Sequence, residues 1–281
     1  MKIIIGGKKS RACASINRGV LFMEQSTMDK LRSIPVAYEG VLMLGGYQAE
    51  PYPCNKRLEY KDLEIEKQNI SKIQEEFQTL YSFDKCKLTG AKVSWGKLRY
   101  VKIAGCHAVG SSFSKVDLSF GEGIMDSHME KCKIKNFRMF NTPVYRSTIR
   151  GNKSESNYYS HVSFSDCMIE NNTSEGLTAT ALKLTGNKIT GLKIKDIPLQ
   201  IVYFQGNTFC DINIENGRIK DGKFIGDKLE KVKFTGVKFQ QCYFREIDFH
   251  NTEFENCTFS ECLFDDCSYT EEQGRLFGIE Q

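Results

Sequence analysis

Any chemistry in this chain would have to come from four histidines, eleven cysteines and two polar segments. Cys106-His107 sets a nucleophile beside a base, and Cys257, Cys262 and Cys267 recur at a spacing that resembles zinc ligation. His107 and His128 could share a metal or a proton if the fold stacked them, but two ligands without a third do not make a zinc site. His161 lies near the polar runs and His250 near the C-terminus. Those runs, Arg150 to Ser156 and Glu170 to Gly176, offer Arg150, Asn152, Lys153, Glu155, Asn171, Asn172 and Glu175 to a binding partner. No Ser-His-Asp order and no glycine-rich phosphate loop appears. Cys13 and Cys54 could be reactive, but no histidine precedes His107 in the chain.

Which of these residues can meet is decided by a five-residue period. From Phe204 to Tyr269 every fifth residue is large and apolar, without exception, for example Phe204, Phe209, Ile214, Ile219, Phe224 and Leu229. Two places before each stands a second, mostly small or β-branched series that includes Val202, Asn207, Ile212, Gly217, Gly222 and Asp227. Five fits neither a helix at 3.6 nor a strand at 2. It fits a chain that turns a corner every five residues and points the same two positions inward. Eight of the eleven cysteines, Cys257, Cys262 and Cys267 among them, fall in the small inward slot, where a thiol acts as a compact hydrophobe. The same phase turns Cys106 inward and His107 outward, which separates that pair.

The pattern resembles the pentapeptide-repeat family, with segments such as Cys242-Tyr243-Phe244-Arg245-Glu246 and Cys257-Thr258-Phe259-Ser260-Glu261. The family's commonest repeat has Ala, then Asp or Asn, then Leu; this chain favours Phe, Cys and Val instead. The resemblance implies an all-β fold, a right-handed quadrilateral parallel β-helix, here with a small irregular or α+β N-terminal cap. At four repeats per turn and about 4.8 Å between strands, residues 81–269 would make a rod of about 45 Å.

The period also locates the boundaries. Central residues run from Phe83 to Leu118, slip by one residue near Gly121-Glu122-Gly123, and continue from Ile124 into the C-terminal run. Ser154 and Ser174 are polar failures of the central slot, 20 residues apart, so either a wall bulges there or two loops protrude side by side. Residues 1–56 lack the period and read as an irregular leader or small α/β cap. In 57–80, Ile70, Ile73, Phe77 and Leu80 have the spacing of one helical face, with Ser71 and Gln74 at capping-box spacing, which predicts a helix over the open end of the coil. Residues 270–281 read as a C-terminal cap.

Composition narrows the function further. The formal charge of +4 and pI near 8.4 argue against overall DNA mimicry. Charge is uneven, however: Glu246 to Glu272 holds nine acidic residues and no Lys or Arg. No apolar run approaches the roughly 18 residues of a membrane span, and the apolar stretch at the N-terminus is too short for a secretory signal of about 7–15 residues. Inward thiols suit a reducing cytoplasm. Neither a cofactor nor a metal is expected.

The layout, an irregular segment followed by a coil, is similar to that of bacterial type III secretion effectors of this family. That implies a non-catalytic scaffold, made in the bacterial cytoplasm and exported by a specialised system, that binds a host protein through its walls, polar loops or N-terminal cap. No nucleic-acid partner is expected, and a monomer is favoured over a dimer through the C-terminal end. Two alternatives stand beside this reading: a protein that interacts with DNA gyrase or another topoisomerase, and an enzyme with its site in the N-terminal region.

Overall fold

The computed structural model describes residues 9–10, 56–66, 69–71, 79–94, 97–99, 101–119 and 123–279. Described residues from 56 onward wind into a four-sided parallel β-solenoid of about nine turns. Each side of a turn contributes a short strand, such as His128–Glu130, Lys133–Lys135, Arg138–Phe140 and Pro143–Tyr145. After the phase slip each residue pairs with the one 20 places on, as in Ile149↔Ile169↔Ile189 and Phe204↔Phe224↔Phe244. The period of five is therefore a period of walls, and four walls close a turn.

Corners explain the rest of the repeat. Two residues after the central one the backbone is left-handed, with φ near +50°, as at Lys131, Asn136, Asn141 and Asn171. Its amide bonds along the rod to the next turn, as in Lys131 N–H to the Arg150 carbonyl at 2.9 Å. Backbone pairing thus continues around every bend, which an apolar interior requires. Asn, Asp and Gly recur there because they tolerate this conformation.

Four walls carry four columns of inward side chains. The first holds Phe164, Leu184, Phe204, Phe224, Phe244 and Phe264. The second holds Ile149, Ile169, Ile189, Phe209 and Leu229. Ile134, Ser154, Ser174, Ile194, Ile214, Phe234 and Phe254 form the third. Met139, Tyr159, Ala179, Leu199, Ile219, Phe239 and Phe259 form the fourth.

The slip of one residue is present: Ile103 pairs with Ile124 and Leu118 with Met139, each 21 apart. Gly123 resumes the wall at φ +109°, and a Cβ there would lie 2.6 Å from the Pro143 carbonyl, so only glycine fits.

Two expectations need correction. The segment 57–80 is strand wherever it is described: Lys56–Lys61, Glu64–Glu66, Asn69–Ser71 and the start of Thr79–Asp84. Tyr60, Ile65 and Ile70 pair with Phe83, Leu88 and Val93, so the coil begins a full turn before Phe83, with three extra residues in that turn. At Ile70 and Leu80, the two described ends of that spacing, pairing wins over the helical pattern. This turn supplies partners to the next, as in Lys87 N–H to the Leu63 carbonyl at 2.8 Å, where a helix laid across the end would leave that edge unpaired. Residues 72–78, with Ile73 and Phe77, and nearly all of the 1–56 reading, lie outside the described residues.

The polar segments are the second correction. Lys153–Glu155 and Thr173–Glu175 are ordinary strands in register with their neighbours, and neither a bulge nor a protruding loop occurs. The backbone ladder closes the wall whatever the central side chain.

After the last strand Thr270 caps helix α1 (Glu271–Phe277) with a capping box to Gln273. Gln273 Nε2 also donates to the carbonyls of Phe249 and Thr252, both at 2.9 Å. Phe277 is buried with its ring 4.4 Å from that of Phe264.

Candidate functional site

The third wall is the most developed outer face around the sequence-selected residues. Two columns of side chains flank its central residues. Lys133, Lys153, Thr173 and Lys193 succeed one another on one side, and Lys135, Glu155, Glu175 and Lys195 on the other. Lys135 Nζ meets Glu155 Oε1 at 2.7 Å, a half-exposed pair of modest strength. Between the columns Ser154 and Ser174 floor an open depression of about 540 Å³, reached also by Asn213 and Glu215. Lys153, Glu155 and Glu175 are exposed here.

Asn152 and Asn172 are not part of that surface. Both are buried in the small slot. Asn152 Oδ1 accepts from Cys132 N–H at 2.7 Å and its Nδ2 donates to the Met129 carbonyl at 3.1 Å. Asn172 repeats the scheme with Asn152 N–H and the Ile149 carbonyl. They are structural rungs that stitch one turn to the next. Asn171 is an exposed left-handed corner, and Arg150 lies on the second wall with its guanidinium 2.6 Å from Glu170 Oε2.

His107 and His128 do stack on the second wall, ring centroids 5.7 Å apart. His128 Nε2 lies 3.3 Å from Glu130 Oε2, and the His128 contact, then Lys131, holds the Glu130 carboxyl below its ordinary range. No group of three or more His, Cys, Asp or Glu side chains suited to a metal occurs among the described residues. Ser160 Oγ and His161 Nδ1 are 2.9 Å apart, but Ser160 is buried and no acidic side chain is hydrogen-bonded to the ring among the described residues. Cys86, Cys106, Cys132, Cys167, Cys242 and Cys257 are buried thiols, several bonded to backbone carbonyls, as Cys132 Sγ is to that of Ala108 at 3.4 Å. Burial pushes the Cys132, Cys167 and Cys257 thiols up, away from the reactive thiolate. Cys13 and Cys54 lie outside the described residues.

In most turns, therefore, the small slot takes Cys, Asn or a small apolar residue, the central slot a large one, and the corner a left-handed residue, with Ser154, Ser174 and Ala179 among the central exceptions. The chain is a pentapeptide-repeat solenoid. The polar rungs were the part that sequence reasoning missed. Their signal was available as Asn152 and Asn172, and as Asn187, Asn207 and Asp227, each 20 residues apart in the small slot.

Comparison with known proteins adds context to the solenoid. A family described as the SV2A/B/C luminal domain matches residues 210–275. Among solved structures, a trypsin-treated variant of QnrB1, a plasmid-mediated fluoroquinolone resistance protein, is 12% identical, with 78% of this chain and 95% of that one covered at a TM-score of 0.35. HetL, a pentapeptide repeat protein involved in heterocyst differentiation regulation from the cyanobacterium Nostoc sp. strain PCC 7120, is 10% identical, with 80% and 92% covered at 0.23. The periplasmic alginate epimerase AlgG is 12% identical, with 76% and 77% covered at 0.26. No curated protein matches in sequence. Among the described residues no helix is long and apolar enough to cross a membrane.

Proposed function

We propose that the chain is a non-catalytic protein-binding scaffold that presents its third wall to a partner, and that the partner is a host protein met after export from a bacterium. One observation supports the wall most directly: Lys133, Lys153 and Lys193 stand in one column and form no ion pair among the described residues, on strands locked on both sides. A rigid face of unsatisfied charge costs little ordering on association and favours a partner of complementary charge. The layout of coil after N-terminal segment supports the effector reading, with delivery by a type III or similar system. A topoisomerase partner is the second reading, favoured only by the acidic stretch between Glu246 and Glu272.

The test is affinity capture from eukaryotic and bacterial lysates with the full chain and with Lys133→Glu/Lys153→Glu/Lys193→Glu. A eukaryotic protein held by the full chain and weakened about tenfold or more by the charge reversal is the expected result. Undiminished capture by the variant would remove the wall from the proposal. Selective capture of bacterial gyrase would replace the host partner with a topoisomerase.

A further inference from the structure

At the corner between the first and second walls a column of buried amides ends on an acid. Cys167 N–H donates to Asn187 Oδ1 at 2.9 Å, Asn187 N–H to Asn207 Oδ1 at 3.0 Å, and Asn207 N–H to Asp227 Oδ1 at 2.8 Å. Both asparagines use the other half of the amide alike. Asn187 Nδ2 donates to the Phe164 carbonyl and Asn207 Nδ2 to the Leu184 carbonyl, each 23 residues back and each at 2.9 Å. The same register assigns Asp227 to the Phe204 carbonyl. What Asp227 has left to offer is Oδ2, which is buried and has no hydrogen-bond partner among the described residues. An ionised carboxylate only accepts, so it would set one acceptor against another in an apolar interior. A protonated one carries the hydrogen that an amide would have supplied.

We infer that Asp227 is held as the neutral acid, its hydroxyl donating to the Phe204 carbonyl, and that the solenoid loosens at this rung when the acid ionises. Asp227 is 3% exposed, between Asn207 on one rung and buried Ile247 on the next. The charged side chains neighbouring it in the register, Lys188, Lys228, Glu246 and Asp248, are all exposed on the outside, and none forms an ion pair with it among the described residues. Burial is the dominant influence; the hydrogen bonds from Asn207 and, less, the backbone of Ile225 oppose it, and the carboxyl is pushed up to about 7. Because the folded value lies above the unfolded one, the folded state keeps the proton longer. Stability is then full below the ordinary carboxylate range of about 3.9, falls as pH rises from there to about 7, and stays low above it.

The direct test is the ¹³C titration of Asp227 Cγ in the full chain, assigned through bonds from its own Cα and Cβ resonances. Titration near neutrality is expected; a midpoint in the ordinary carboxylate range would overturn the inference. Urea unfolding of both proteins supplies the second readout. Asp227→Asn should match wild type near pH 4 and exceed its folded-to-unfolded ratio by on the order of a thousandfold at pH 8. An equal ratio at both pH values, or an advantage confined to low pH, would also overturn it. The wild-type titration decides the matter even if the variant fails to fold.

Discussion

The coils around Phe224–Phe264 and those around Val144–Ala179 share one backbone and fill it differently. Toward the C-terminus the columns are aromatic and stacked. Phe224 and Phe244 lie 4.9 Å apart, Phe234 and Phe254 5.4 Å, and Phe239 and Phe259 4.7 Å, with rings inclined by 13° or less. Phe277 of α1 then closes the end on Phe264. In the middle one turn holds Val144, Ile149, Ser154 and Tyr159, and the next Phe164, Ile169, Ser174 and Ala179. Leu177, in the normally small slot, is partly buried against the core. An apolar cavity of about 200 Å³ runs along the axis and is lined by residues of both stretches, from Ser154 and Ser174 to Phe244 and Phe254. The ladder of backbone bonds therefore sets the shape, and side-chain packing sets how stable each stretch is. Since each coil touches only its neighbours, the two stretches can differ without disturbing one another.

The sharpest test of that contrast is at the packed end. Phe239 is 2% exposed and meets Phe234, Phe244, Phe254 and Phe259. Phe239→Ala should cost about 3–5 kcal/mol in urea unfolding. A cost near that of a surface residue would mean that the aromatic columns do not carry the end. In the middle, polar rungs should matter next most. Asn152→Ala removes the partner of Cys132 N–H and of the Met129 carbonyl together, a loss of about 2–4 kcal/mol for two buried groups. If Asn152→Ala were silent, water would be serving the ladder in its place.

How far the sequence discloses this structure depends on what repeats. Phe204 to Tyr269 repeats without exception, so its walls and inward cysteines were legible, and so was the slip that pairs Ile103 with Ile124. Tyr60, Ile65 and Ile70 repeat only three times, and a helical spacing through Ile70 and Leu80 competed with them. Pairing with residues 83–93, which decides the matter, is a contact between turns that no local window contains. The site was half legible. Lys153, Glu155 and Glu175 are at the surface, whereas Asn152 and Asn172 read as surface residues too, because a buried amide and an exposed one are the same letter. Only the 20-residue spacing of such amides separates the two, and the column of lysines beside them needs the wall's register to be seen.

The cavity gives a prediction of opposite sign. Ser174 occupies a central slot whose partners in the column are Ser154 and Ile194. Ser174→Ile should raise stability by about 1 kcal/mol by filling the axial space. Loss of stability instead would show that Leu177 and its neighbours already close the turn, and that the middle is as tightly packed as the end.

The smallest effect expected is the most useful for the wall. Lys153 is exposed, has no ion pair among those formed by the described residues, and stands between Lys133 and Thr173 in its column. Lys153→Ala removes a charge beside another of the same sign, so unfolding should shift by less than about 0.5 kcal/mol in either direction. A loss comparable to that of Asn152→Ala would mean that position 153 points inward, which would reverse the register of the third wall and exchange its inner and outer residues. A silent Lys153→Ala keeps the column outside. Any weakening of partner capture by the charge reversal could then be read as a loss of contact, since the frame that holds the column would be unchanged.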